Sequence, residues 1–386
     1  MDDNGTEHRL QGLFELFGSR YAQLLRDAVR DRVGLARGVY VFGAGQNGRL
    51  VANLLAAAGH RATAFIDDTP AKIGTLIDGI PVIDAAGLRD RGPALVIVSV
   101  YLAHHDYLSI ADRLRRLGAN TVSLLQFYWA YGVDHLPFYF HALPAALLGA
   151  RDDVLWLARQ LVDQTSRDEL CAHVEFRLSL RHEILPAWSL QRLPPPDHWQ
   201  DIGFVDAGAF DGDTLIPFVT SYGDRTAFAI GLEPDPANHA AMRKNIETLP
   251  QKLLALVEPL ELAIDSGSGT AAFANLANAG SMLSREGDTS VRTISLDDLL
   301  ADRPAEKIYV KMDVEGAEAN VIRGAEKTIA ERTPFLAVSA YHRPDDLWEL
   351  PRQIRRLNPA YQFMLRSHGA DGADLTLYAI GSTDIR

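Results

Sequence analysis

Two acidic, glycine-bearing parts of this chain carry residue types suited to holding a nucleoside and handling a proton. In FVDAGAFDGDT, residues 204–214, an apolar run leads into Asp206, Gly208, Asp211, Gly212 and Asp213. Gly208 lets the backbone turn with no Cβ in the way. Such a turn brings N–H groups against a nucleoside or an amino-acid moiety, and Asp206 or Asp211 is a candidate acceptor for a ligand ammonium. The turn has no lysine, which argues against a P-loop triphosphate site. Glu233 closes the next apolar run, where a carboxylate at a strand tip can take both ribose hydroxyls. Asp313 ends a third run, 308–312, with Glu315 and Glu318 just after it. Tyr341 and His342 follow a fourth, 335–340. His342 is a candidate general base, because an unperturbed imidazole titrates near neutrality; a partly exposed surface histidine is the alternative. Asp313 is the first choice for a catalytic or ligand-contacting group, and Asp313, Glu315 and His342 together would suit a divalent metal. Glu315 and Glu318 also suit the start of a helix, where acidic side chains oppose the dipole; for Glu318 that is the simpler reading.

A third constellation lies near the N-terminus. Gly43, Gly45 and Gly48 form G-x-G-x-x-G after a short apolar run, and Asp67 ends the following one. This is the context of a dinucleotide fingerprint.

Elements that could position these residues alternate along the chain. Apolar positions at spacings of three and four between residues 10 and 30 predict an amphipathic helix. Strands are expected at the start of 38–60 and at 62–66, 94–100 and 121–125, with helices between them. Spacing in 135–185 predicts a helical connector. Pro194, Pro195 and Pro196 then mark a boundary, and a second strand–helix alternation begins at Ile202, with Asp213 as the expected N-cap of its first helix. Alternation of this kind argues for parallel sheets covered by helices. The expected architecture is α/β with two Rossmann-like domains, 1–130 and 199–386, joined by the connector 131–198.

Composition narrows the function. The chain has 386 residues, 47% hydrophobic and 23% charged, enough for two cores. A formal net charge of −12 makes nucleic acid a poor partner. Cys171 is the sole cysteine, which excludes a disulfide framework and a cysteine-rich zinc site. No apolar stretch is long enough to span a bilayer, and the polar start MDDNGTEHRL has no signal-peptide pattern. A cytoplasmic protein without a membrane role is expected.

Residues 204–214, 231–246 (GLEPDPANHAAMRKNI), 291–300 (VRTISLDDLL) and 308–329 (IYVKMDVEGAEANVIRGAEKTI) resemble the FkbM family of methyltransferases, in order and approximate spacing. The resemblance covers about half the chain, and DVEGAE is its most distinctive piece. It implies a seven-stranded class I methyltransferase sheet, S-adenosylmethionine as cofactor, and O-methylation of a hydroxyl on a saccharide, a nucleotide-linked sugar or a secondary metabolite. It places Asp206, Gly208, Asp211 and Gly212 in the cofactor loop and Glu233 on the ribose. Ala263, Ile264 and Asp265 fall near the adenine, and Ser281 in a hairpin that approaches the cofactor. Asp313 would contact the methionine moiety or act in catalysis.

The segment 39–83, with FIDD-x-P and DGIPVI, is similar to the N-terminal domain of PglD-type nucleotide-sugar acyltransferases, which implies a nucleotide sugar at Gly43, Gly45, Gly48 and Asp67. The acyltransferase's hexapeptide repeats are absent, so acyl transfer is not implied. NAD at the same turn, with oxidoreductase activity, is a second option, weakened by the lack of an obvious Tyr-x-x-x-Lys pair. A non-catalytic nucleotide-sugar scaffold is a third. His104 and His105 sit where they could reach such a ligand, although a loop position favours a surface role. Metal need, acceptor and oligomeric state stay open, a homodimer being one option.

Overall fold

The computed structural model of the chain describes residues 3–89, 91, 94–100, 106–133, 136, 142–274, 282–283 and 289–382. Its backbone divides into two compact units. The first comprises 1–155, 168–188 and 369–373; the second comprises 156–167, 189–368 and 374–386. The helical stretch 131–198 is thus shared between the units.

In the first unit, β1 (Val39–Phe42), β2 (Ala62–Ile66), β3 (Leu76–Ile77), β4 (Ile80–Ile83), β5 (Leu95–Val98) and β6 (Asn120–Ser123) form one sheet in the order β3-β4-β2-β1-β5-β6. All neighbours are parallel except the β3–β4 hairpin. Strand β1 is buried on both faces: Val39 and Val41 pack into one cluster, Tyr40 and Phe42 into another. Successive side chains point to opposite faces, so a strand covered on both sides reads as an unbroken apolar run.

The second unit contains β7 (Ile202–Ala207), β8 (Thr226–Leu232), β9 (Val257–Leu260), β10 (Ala263–Ile264), β11 (Gly269–Ala274), β12 (Met282–Leu283), β13 (Thr289–Ile294), β14 (Lys307–Met312), β15 (Phe335–Ser339), β16 (Tyr361–Ser367) and β17 (Leu375–Gly381). Seven of these make a sheet in the order β16-β17-β15-β14-β7-β8-β9, with β17 antiparallel to both its neighbours. This is the seven-stranded sheet expected of a methyltransferase. Strands β10 to β13 form a smaller sheet. The core on one face of the large sheet is aromatic: Phe204 stacks on Phe218 with ring centres 3.8 Å apart, and Tyr309, Phe335 and Tyr378 continue the layer.

The elements differ from expectation in three places. The N-terminal helix is two, Asp3–Phe17 and Tyr21–Leu35, broken after Gly18. The expected strand 121–125 stops at Ser123, whose hydroxyl accepts the Gln126 N–H at 3.2 Å and starts the helix Leu124–Ala130. The helix Leu215–Tyr222 takes Thr214 as its N-cap, not Asp213, and that cap has no side-chain hydrogen bond. Cys171 is buried, and burial pushes its thiol up to about 11, as befits a packing residue. Among the described residues no helix is long and apolar enough to cross a membrane.

Gly48 shows how tightly the first unit's turn is built. A Cβ there would lie 1.9 Å from the Gly43 carbonyl oxygen, whereas one at Gly12, mid-helix, would meet nothing within 4 Å. Gly48→Ala is therefore expected to cost ~1–3 kcal/mol through overpacking. Gly12→Ala should gain up to ~1 kcal/mol from helix propensity. Urea-unfolding midpoints of the two variants check the opposite signs.

Candidate active site

Strand register brings the predicted residues to one edge. Ala207 of β7 pairs with Leu232 of β8 and with Met312 of β14. The next residue on each strand, Gly208, Glu233 and Asp313, therefore emerges at the same level. Strand order reverses between β7 and β14, and open α/β sheets bind ligands at such a switch point.

The Gly208 turn is close-packed. Gly208 has φ +78°, and a Cβ there would lie 1.9 Å from the Asp313 carbonyl oxygen. Gly212 also has positive φ. Glu233 reaches back across the edge: Oε2 accepts the Phe210 N–H at 3.0 Å and Oε1 the Asp235 N–H at 2.9 Å. Burial pushes its carboxyl up to about 7, against these hydrogen bonds. Asp235 caps the helix Pro236–Ile246, accepting from Ala237 and Asn238. Asn245 of that helix donates to the Asp211 carbonyl at 2.9 Å.

Asp206 does not face a ligand ammonium. It is fully buried and opposite Lys311 in register, with its Oδ1 3.1 Å from Lys311 Nζ. Lys311 also donates to the Gly208 carbonyl at 2.8 Å and stands 3.7 Å from Asp313 Oδ2. Burial opposes the lysine's charge, but Asp206 and Asp313 outweigh it and raise its pKa. Burial pushes Asp206 up to about 6 against Lys311, so the pair is ionic at neutral pH.

Asp313, Glu315 and His342 converge. His342 Nε2 lies 3.5 Å from Asp313 Oδ1 and 3.7 Å from Glu315 Oε2. The Ser339 hydroxyl donates to Asp313 Oδ1 at 2.8 Å. Glu315 and Gly316 both have positive φ, which folds the chain sharply between β14 and the helix Glu318–Arg323. Glu318 is fully buried; it accepts the Val314 N–H at 3.0 Å, and its Oε1 sits 2.8 Å from His342 Nδ1. Sequence reading favoured helix capping for Glu318 and missed its hold on the imidazole. Burial would lower the His342 pKa, but Glu318, Asp313 and Glu315 raise it to about 10. Those carboxylates remove the premise of a near-neutral general base. Burial would raise Asp313, but Lys311, His342 and Arg192 hold it near 2.

Ala263 and Ile264 form the short strand β10, both buried. Asp265, next along, has a shielded Oδ1 with no hydrogen bond. Ser281, His104 and His105 lie outside the described residues.

In the first unit the same register logic holds. Phe42 pairs with Ile66 and Val98, so Gly43, Asp67 and Ser99 emerge together. Gly43 has φ +99°, and Gly45 is the N-cap of the helix Gln46–Ala57. Asp67 Oδ2 accepts the Ala44 N–H at 2.8 Å and Lys72 Nζ at 2.9 Å; Oδ1 accepts the Thr69 N–H at 2.9 Å. Burial would raise Asp67, but these contacts hold it near 2.

Comparison with known proteins bears on the second unit directly. The methyltransferase FkbM domain matches residues 206–366. The matched span lies within the second unit. In structure, the chain is similar to a methyltransferase FkbM from Methylobacillus flagellatus KT, with 20% identity, a TM-score of 0.74, and coverage of 98% of this chain and 100% of that one. At that identity the likeness speaks for the fold. Slighter likenesses are to a UDP-D-quinovosamine 4-dehydrogenase from Vibrio fischeri (24% identity, 23% of this chain and 77% of that one, TM-score 0.20) and to a precorrin-6y C5,15-methyltransferase from Geobacter metallireducens GS-15 (11%, 48% and 82%, TM-score 0.30). No curated protein matches the chain. The FkbM domain's matched span thus includes Asp206, Glu233, the 313–318 turn and His342.

The raised Glu233 pKa has a stability consequence. The ligand-free fold favours the protonated carboxyl, so its contribution is full below about pH 4.5 and is lost as pH rises through about 7. Glu233→Gln should therefore gain stability relative to wild type between pH 5 and pH 8. Thermal melts across that range check it, and a constant difference would contradict the assignment.

Proposed function

We propose that the chain is an S-adenosylmethionine-dependent O-methyltransferase acting on a hydroxyl of a saccharide, a nucleotide-linked sugar or a secondary metabolite. The observation that carries this reading is the convergence of the Gly208 turn, Glu233 and the Asp313 cluster at the switch point of a methyltransferase sheet. The residues suit the cofactor. Glu233 offers a carboxylate to a ribose diol, and the shielded Asp265 Oδ1 lacks the donor that an adenine amino group would supply. When bound, S-adenosylmethionine supplies a methyl group already activated on a sulfonium.

The protein's own part is alignment and proton handling. Lys311 fixes the Gly208 carbonyl and Asp313 relative to each other, so the turn and the acceptor side share one anchor. Alignment of the attacking oxygen with the methyl carbon accounts for much of the barrier reduction in such a displacement. Asp313, ionised and partly open to solvent, accepts a hydrogen bond from the acceptor hydroxyl, orients its lone pair and takes the proton that the hydroxyl loses as it is methylated. Glu315 and Glu318 brace the cluster through His342.

The first unit's turn would hold a nucleotide, with a nucleotide-linked sugar as the first reading and NAD as the second. Asp67 sits at that turn, bound by Ala44, Thr69 and Lys72. Lys72 supplies a cation at the same edge for a phosphate.

Incubation with methyl-labelled S-adenosylmethionine and a panel of nucleotide sugars and free saccharides tests the proposal, with labelled product located by mass spectrometry. Transfer to a hydroxyl is expected, and Asp313→Asn should lower kcat ~100-fold or more. Label found on nitrogen or carbon, or Asp313→Asn transferring at the wild-type rate, would contradict the proposal.

A further inference from the structure

We infer that Asp313, Glu315 and His342 bind a divalent transition-metal cation. One donor atom from each lies within 4.8 Å of the other two. The imidazole is the informative member. His342 is 1% exposed, and its Nε2 has no hydrogen-bond partner. That nitrogen faces Asp313 Oδ1 at 3.5 Å and Glu315 Oε2 at 3.7 Å. Both distances are too long for an N–H···O hydrogen bond. They are close to the spacing of two ligands on one ion, roughly 3.0–3.4 Å when metal–ligand bonds are about 2.1 Å.

The surroundings favour a cation. His342 Nδ1 lies 2.8 Å from the fully buried Glu318, which leaves Nε2 as the nitrogen turned to the cluster. A carboxylate behind a ligating histidine fixes its tautomer and raises its basicity. Lys311 is no obstacle, because it approaches Asp313 Oδ2 while Oδ1 faces the imidazole. Oδ1 accepts one hydrogen bond, from Ser339, and keeps capacity for an ion. Asp346 also faces Glu318 and His342, its carboxyl pushed up to about 7 by burial, and Arg192 is the further cation that acts on Asp313.

Two carboxylate oxygens and one imidazole, without thiolate, suit Mn²⁺, Fe²⁺ or Zn²⁺ better than Ca²⁺ or Mg²⁺, which prefer all-oxygen shells. Three protein ligands leave coordination positions open. On the methyl-transfer reading, on which this use of the site rests, those positions take neighbouring oxygens of the acceptor. A vicinal diol or hydroxy-carboxylate would chelate there, whereas an isolated hydroxyl would not.

Electron paramagnetic resonance of free Mn²⁺, titrated with the chelator-treated full chain, counts bound ions. S-adenosylhomocysteine binding is measured on the same samples by calorimetry. Wild type should bind one Mn²⁺ per chain. Glu315→Gln and His342→Gln should each weaken it at least tenfold, and Glu318→Gln, acting through His342, 10- to 100-fold. Glu315 is partly exposed, so its variant should fold even if that at His342 does not. The proposal is overturned if neither Mn²⁺ nor Zn²⁺ binds wild type at millimolar concentration while S-adenosylhomocysteine does. It is equally overturned if Mn²⁺ binds and Glu315→Gln leaves its affinity unchanged. Mn²⁺ binding with these losses but without S-adenosylhomocysteine binding would support the metal site and sink the methyl-transfer reading instead.

Discussion

A single buried lysine ties the site together. Lys311 sits inside β14, 4% exposed, and its ammonium touches Asp206, the Gly208 carbonyl and Asp313. A charge in that position needs partners, because an unpaired one in the interior is strongly unfavourable. Its partners belong to the Gly208 turn and to the acidic cluster. The pairing therefore fixes their separation. Removing one side of such a buried pair typically costs about 3–5 kcal/mol, because the other charge is left stranded.

Both units use the same construction and fill it differently. In each, a glycine turn after the first strand lies beside a carboxylate at the tip of the second. In the first unit Asp67 is consumed by Ala44, Thr69 and Lys72, and its pKa is held near 2. In the second, Glu233 receives only backbone amides and an asparagine, and burial dominates its titration. A carboxylate held ionised by a lysine is a structural clasp. One raised by burial is poised for a ligand that donates hydrogen bonds.

Much of this was legible in the sequence because strand tips are. An apolar run buried on both faces ends abruptly, and the polar residue after it sits at the carboxyl edge. That reasoning found Gly208, Glu233, Asp313 and His342, and Gly43 and Asp67 as well. It failed where a side chain turns inward. Asp206 and Lys311 interrupt apolar strands, and two opposite charges in neighbouring buried strands are themselves a signal for a pair. Glu318 folds back to Val314 and across to His342, which helix periodicity cannot show. Arg192 lies before the second strand–helix alternation begins, yet its field reaches Asp313. The break after Gly18 and the helix started by Ser123 were missed because apolar spacing continues through both.

Hydrogen exchange of the full chain, with and without S-adenosylhomocysteine, tests the central claim most directly, since it locates the ligand on the backbone. The account predicts added protection at 207–212 and at 233–235, where Glu233 clasps the turn, and none at 43–48. Protection confined to 43–48, or no change anywhere at saturating ligand, would contradict it.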